Sequence, residues 1–257
     1  MRLRRLCGAA VLAAALGASH AAPPARVVRV QPSAEQVPAN LLRLSIEFGT
    51  RIEGPVLPRL ALLRPDGKPL AQPFLEQELW SPSGRILTVL MHPGRVKTGL
   101  NAREALGPIL VDGDDVTLTL DDRPIQHWRV GPADTSGPAV SAWRLSSVRA
   151  ASRQALVVTL DGPIDGREAD YLAIADPHGR RVSGQALLKN GESTWAFTPH
   201  APWRAGEYRL IARGTLEDPA GNRLGGRFET PADTPAAAPA DAALAFTVGS
   251  TPLSRRR

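Results

Sequence analysis

Thr194-Trp195-Ala196-Phe197-Thr198-Pro199, then Pro202-Trp203-Arg204-Ala205-Gly206-Glu207-Tyr208, then Leu216-Glu217-Asp218-Pro219-Ala220-Gly221-Asn222, is the stretch that decides the fold. Trp195 and Phe197 are two residues apart, so in a strand they share one face and belong to a core. Gly206 permits a tight turn into the strand that follows. Tyr208 is placed to bond nearby backbone through its hydroxyl, as in a tyrosine corner. Asp218 and Asn222 suit Asx turns, with Gly221 where a positive φ is needed.

Working outward, the same half holds period-two runs at Ala155–Leu160 and Tyr171–Ala175, a turn at Asp176-Pro177-His178-Gly179, and a last strand at Leu244–Val248. The first half repeats the order. Leu41–Phe48 alternates, Leu60–Leu63 precedes a Pro65-Asp66-Gly67 turn, Ile86–Met91 runs into His92-Pro93-Gly94, and Val116–Leu120 follows. Short alternating runs separated by Asp-Gly-like turns predict β-sandwich modules. Asn101–Leu106 reads as a short helical turn with Asn101 as a cap. Gly131–Ala142 is rich in Pro, Gly and small polar residues and reads as a linker. Pro231–Ala243 is a low-complexity excursion, and 249–257 a basic tail. The expected fold class is therefore all-β, with sandwiches over 26–130 and 143–248 joined by a linker at 131–142.

The three elements at Thr194–Pro199, Pro202–Tyr208 and Leu216–Asn222 resemble the bacterial Ig-like domains of the S-layer SbsA type, over roughly Arg144–Thr247. Those modules carry a strand pair of the form TP…L..G..Y followed by D.AGN. The resemblance implies two Ig-like β-sandwiches in tandem, the first a degenerate or related module that lacks a D-x-A-G-N. It also implies a spacer, adhesin or accessory role, and it speaks to fold far more than to function.

Met1–Ala22 has a basic start, an apolar run from Leu6 to Ala18 and small residues after it, the tripartite pattern of an export signal. The expected signal peptide is 1–21, with cleavage after Ala21 or, alternatively, after Ser19. Cys7 is the only cysteine and leaves with the signal, so thiolate metal sites and cysteine nucleophiles are excluded. No later run approaches the ~18 apolar residues of a membrane span. A periplasmic or secreted location follows, with no membrane span after cleavage.

Hydrophobic residues make up 43% of the 257 residues, enough for packed cores. Three arginines in the first five residues and three at the extreme C-terminus carry as much charge as the formal +6 of the whole chain. The body between them is close to neutral and offers no basic patch for nucleic acid. Lys68, Lys97 and Lys189 are the only lysines, and with abundant Ala and Pro this arginine bias is that of a GC-rich bacterial genome.

Catalytic chemistry finds no motif. His92, His127, His178 and His200 lack metal-ligand spacing and read as solvated loop residues. Ser81-Pro82-Ser83-Gly84 is a turn, and there is no G-x-S-x-G. Asp114-Asp115 and Asp121-Asp122 flank a strand and read as solvated turns rather than a glycosidase pair. Calcium on Asp218 and Asn222 lacks a dense acidic loop. Trp195 reads as core, whereas Trp80 and Trp203 lie near turns and are candidates for an exposed sugar-binding surface. The expectation is an exported, non-catalytic Ig-like protein without cofactor or metal, partnered by an envelope protein or polysaccharide. The alternative is a periplasmic copper-binding protein with His20 as N-terminal ligand, since cleavage after Ser19 would join an amino group and an imidazole on one residue. Asp176-Pro177-His178 offers the residue types of further ligands but sits in a mid-domain turn.

Overall fold

The computed structural model describes residues 26–96, 101–226 and 240–249. The expected signal peptide with Cys7 and His20, most of the low-complexity excursion, and the tail beyond Gly249 lie outside the described residues. The first half contains β1 (Val27–Gln31), β2 (Gln36–Pro38), β3 (Arg43–Phe48), β4 (Leu60–Leu63), β5 (Phe74–Trp80), β6 (Ile86–Met91), β7 (Asp115–Leu120) and β8 (Arg123–Gly131). Short helices α1 (Pro93–Val96) and α2 (Asn101–Leu106) lie between β6 and β7. The second half contains β9 (Arg144–Leu145), β10 (Leu156–Thr159), β11 (Leu172–Ala175), β12 (Gly184–Lys189), β13 (Thr194–Pro199), β14 (Gly206–Ala212) and β15 (Ala242–Val248).

Strand order, not likeness, identifies the fold. In the first half one sheet runs β1-β3-β6-β5 and the other β2-β8-β7-β4. In the second half the sheets run β12-β13-β10-β9 and β11-β14-β15. Lettering the seven principal strands of each half A to G in chain order, with β2 as an extra edge, gives A-B-E-D on one sheet and C-F-G on the other, twice. That is the immunoglobulin constant-type arrangement. Both halves are Ig-like β-sandwiches, including the first, which lacks the D-x-A-G-N motif. The difference is at one edge: β2 pairs parallel with β8 over Gln36–Pro38, whereas among the described residues the second half has an Arg149–Gly249 bridge there and no further strand.

Alternation builds each core. Leu44, Ile46, Phe48, Leu87 and Val89 from one sheet meet Leu62, Val116, Leu118, Trp128 and Val130 from the other in a single buried cluster. In the second half Leu156, Val158, Trp195 and Phe197 meet Leu172, Ile174, Tyr208, Leu210 and Val248. Aromatic rings run through this second core: Trp195 stacks on Phe197 at 5.5 Å, and Trp203 meets Tyr208 edge-on at 5.4 Å. Trp203 is thus core, only 3% exposed, and Trp80 is part-buried against Phe48, so neither forms an exposed aromatic platform. Every Trp indole donates a hydrogen bond, to Glu78, Pro32, Asp161, Ala169 or Gln154. A buried indole without a partner is costly, so these bonds are what permit the burial.

The turn predictions hold locally. Tyr208 Oη donates to the carbonyl of Arg204 at 3.2 Å, the corner bond expected of it. Asp218 Oδ1 accepts from Asn222 N at 2.9 Å, and Gly221 has φ +82°. Asp121 and Asp122, with φ +50° and +60°, form the two-residue turn joining β7 to β8, which requires positive φ at both positions.

Candidate functional site

The densest polar structure lies where the two sandwiches meet. Arg43 opens β3. Leu44, Ile46 and Phe48 face the core, so alternation turns Arg43 to the opposite face. There it meets the second sandwich. Arg43 Nε donates to Asp165, and Nη2 donates to Glu217 at 2.7 Å and to Glu168 at 3.3 Å. Asp165 and Glu168 come from the β10–β11 connection, Glu217 from the β14–β15 connection. The side chains are 20% exposed for Arg43 and 7%, 11% and 14% for Asp165, Glu168 and Glu217. Burial works against the Arg43 charge, but the three carboxylates outweigh it and hold the guanidinium above its ordinary range.

Burial acts oppositely on the acids. It pushes Glu168 up to about 7, aided by the charges of Asp165 and Glu217 and opposed by the Glu217 N–H and by Arg43. That N–H donates to Glu168 Oε2 at 2.7 Å. Asp218 is pushed up to about 6, again by burial first, with Asn222 opposing and the Asp134 charge adding.

Further hydrogen bonds complete the junction. Glu192, only 3% exposed in the β12–β13 turn, accepts from Ser33 N at 2.8 Å and Ser33 Oγ at 2.7 Å. Leu42 N donates to the Pro219 carbonyl at 2.9 Å. The connecting segment is clamped from both sides: the Asp134 carbonyl accepts Asn40 Nδ2 at 2.7 Å and Asn222 Nδ2 at 3.1 Å. A Cβ on Gly137 would fall 1.8 Å from the Arg223 carbonyl, so only glycine lets the strands of chain pass there. The segment 131–142 reads as a loose linker by composition, but its backbone is tied down.

The histidines and acids singled out by the sequence do not converge. His178 is exposed in a turn where Asp176 caps the N–H groups of His178 and Arg180, and His200 is exposed after β13. His127 is not a loop residue: it lies on β8, 3.5 Å from Asp115 and 3.2 Å from Thr117. His92 is half-buried, and its Nδ1 has no hydrogen-bond partner among the described residues. Asp121 pairs with Arg59. Among the described residues no group of three His, Cys, Asp or Glu is arranged to hold a metal ion. The Asp218 carboxylate is taken by Asn222 rather than left for calcium. Among the described residues no helix is long and apolar enough to cross a membrane.

Sequence reasoning missed the junction. Arg43 sits on the polar side of an alternating strand and reads as solvated, and Glu217 hides inside a motif whose Asp and Asn explain the turn without it.

No family model and no curated protein matches the chain. Several solved structures are distantly similar. An L,D-transpeptidase from Mycobacterium smegmatis has a TM-score of 0.28 at 10% identity, covering 65% of this chain and 62% of its own. The titin domains Z1Z2 in complex with telethonin score 0.25 at 11% identity, covering 85% and 93%. Domains 4–9 of the surface layer protein SbsC score 0.25 at 11% identity, covering 87% and 31%. The chain thus spans less than two thirds of the transpeptidase, and the Ig-like assignment rests on strand order.

Proposed function

We propose that this chain is an exported, non-catalytic accessory protein of the bacterial envelope, with Ig-like modules of the SbsA type at 26–130 and 143–248 held as one stiff unit. In this reading it spaces or presents an envelope protein or polysaccharide partner, from the periplasm or outside the cell. The observation that carries the reading is the junction. Buried charge is expensive to assemble and is strongly destabilising when only half is present. Placing Arg43 against three carboxylates of the other sandwich suits a protein whose two halves must keep a fixed relation.

The test is recovery of the native chain from the envelope fraction, together with a panel of ester, glycan and peptide substrates. Co-purification of a stoichiometric envelope protein or glycan, without turnover, is the expected outcome. Turnover on any member of the panel overturns the non-catalytic part of the reading. Recovery in the cytoplasmic fraction with Met1 intact overturns export.

A further inference from the structure

The second sandwich sorts its charge by end. At the end away from the junction, the β9–β10, β11–β12 and β13–β14 connections hold Arg149, Arg153, Arg180, Arg181 and Arg204, all exposed. Against them stands one acid, Asp176, which pairs with Arg180. The acids Asp161, Asp165, Glu168, Glu192, Glu217 and Asp218 lie on the connections at the other end. Backbone bonds draw the three basic connections into one surface: Ala151 N donates to the Trp203 carbonyl, Trp203 N to that of Ser152, and His200 N to that of Ser183. Among the described residues no carboxylate lies within salt-bridge distance of Arg149, Arg181 or Arg204. Glu207, exposed on β14, follows Arg204 by three residues. The Gly249 carbonyl accepts from Ala150 N at this same end, and the sequence past Gly249 adds Arg255, Arg256 and Arg257. The near-zero net charge of the body therefore hides a basic end that composition could not reveal.

A cleft of about 320 Å³ runs back from this end between the edge strands β11 and β12. Its size falls at the lower end of small-molecule sites, roughly 300–1,000 Å³. Arg181, Ser183, His200 and Asp170 line it, together with the apolar Val182 and Phe197. We infer that this basic end docks an anionic polysaccharide, with one acidic sugar seated in the cleft and the rest of the polymer passing over Arg149 and Arg204. Arg181 forks onto the carboxylate of the seated sugar. Asp170 and Ser183 take its hydroxyls, and its apolar face lies on Val182. Exposed arginines alone would suit any polyanion. The cleft is what favours a polymer that can put one ring into it over a flat membrane surface. Naming the polyanion a polysaccharide rests on the envelope role proposed above; the basic end itself does not.

The measurement is the affinity of the chain from Ala22 onward for polygalacturonate at low ionic strength, beside neutral dextran, phosphatidylglycerol vesicles and duplex DNA. Polygalacturonate is expected to bind most tightly and dextran not at all, with binding fading by about 1 M salt, where charges are felt over only about 3 Å. The triple variant Arg149→Gln, Arg181→Gln, Arg204→Gln weakens binding by at least about tenfold. Arg26→Gln, Arg29→Gln, Arg123→Gln removes the same charge from exposed positions of the first sandwich and leaves binding unchanged. Ser183→Trp crowds the cleft and also weakens binding; an unchanged urea midpoint confirms that each variant folds. Absence of polygalacturonate binding overturns the site, as does equal loss in the two triple variants, full binding by Ser183→Trp, or tighter binding to vesicles or DNA. The accessory role stands or falls separately: it survives loss of this site if the native chain brings down an uncharged glycan or a protein from the envelope. Recovery in the cytoplasm with Met1 intact removes the export reading and leaves the binding measurement untouched.

Discussion

The two sandwiches share a strand order yet close the same corner by opposite chemistry. In the first, the passage from β6 to β7 takes the chain through α1 and α2 and folds around Arg95, which is 3% exposed. The Arg95 guanidinium faces no carboxylate among its described partners and instead donates to the carbonyls of Ala71, Gln72, Leu106, Gly107 and Pro108. Burial, with a smaller push from Arg64, lowers its pKa. In the second, the passage from β13 to β14 is short and is closed by Trp203 and Tyr208, whose polar tips each find a carbonyl. The obligation is common to both, because buried backbone carbonyls need donors. The long connection and the β4–β5 loop beside it bring several such carbonyls together, and a guanidinium with its five N–H groups can collect them. A short one creates few, and aromatic area becomes the better use of the space.

Breaking the aromatic corner has the largest expected effect. Trp203→Ala destabilises the second sandwich by about 3–5 kcal/mol, since it empties a ring-lined site and orphans the Gln154 carbonyl. Urea unfolding reads it as a lowered second-sandwich transition with the first unchanged. Arg95→Met is next, at about 3 kcal/mol on the first sandwich alone, because its carbonyls are left without donors. Equal loss from both transitions would show that the corners are not independent. Tyr208→Phe sharpens the comparison by keeping the ring and deleting the corner bond, at about 1 kcal/mol. Arg59→Ala is the control: its pair with Asp121 is solvent-exposed, and its loss shifts the first transition by no more than about 0.5 kcal/mol.

The central strands were legible because burial on one face prints a period of two. Leu42, Leu44, Ile46 and Phe48, or Trp195 and Phe197, announce their strands directly. The strands that escaped the sequence are mostly edges. In β5, Phe-Leu-Glu-Gln-Glu-Leu-Trp, and in β12, Gly-Gln-Ala-Leu-Leu-Lys, solvent reaches much of both faces and little pressure keeps an alternation. β8 escaped although it is interior to its sheet, because Pro124, Arg123 and Arg129 dilute its two buried side chains Trp128 and Val130. The turn chemistry of Asp218, Gly221 and Asn222 was readable because it is local. The junction was not, because each of its acids has an ordinary solvated reading until Arg43 arrives from another sheet.

The clamp on the connecting segment also sets an order in time. Asn40 waits for Asp134, which Asn222 joins later, and Arg43 waits for Glu217, 174 residues further on. As synthesis proceeds from the N-terminus, the first sandwich holds all its strands long before its partner loops exist. Its junction face is therefore a surface that stands open from the completion of β8 until Glu217 has been made. Any chaperone or neighbouring chain that meets the nascent protein meets that face, with Arg43 unpaired, before the molecule's own second half does.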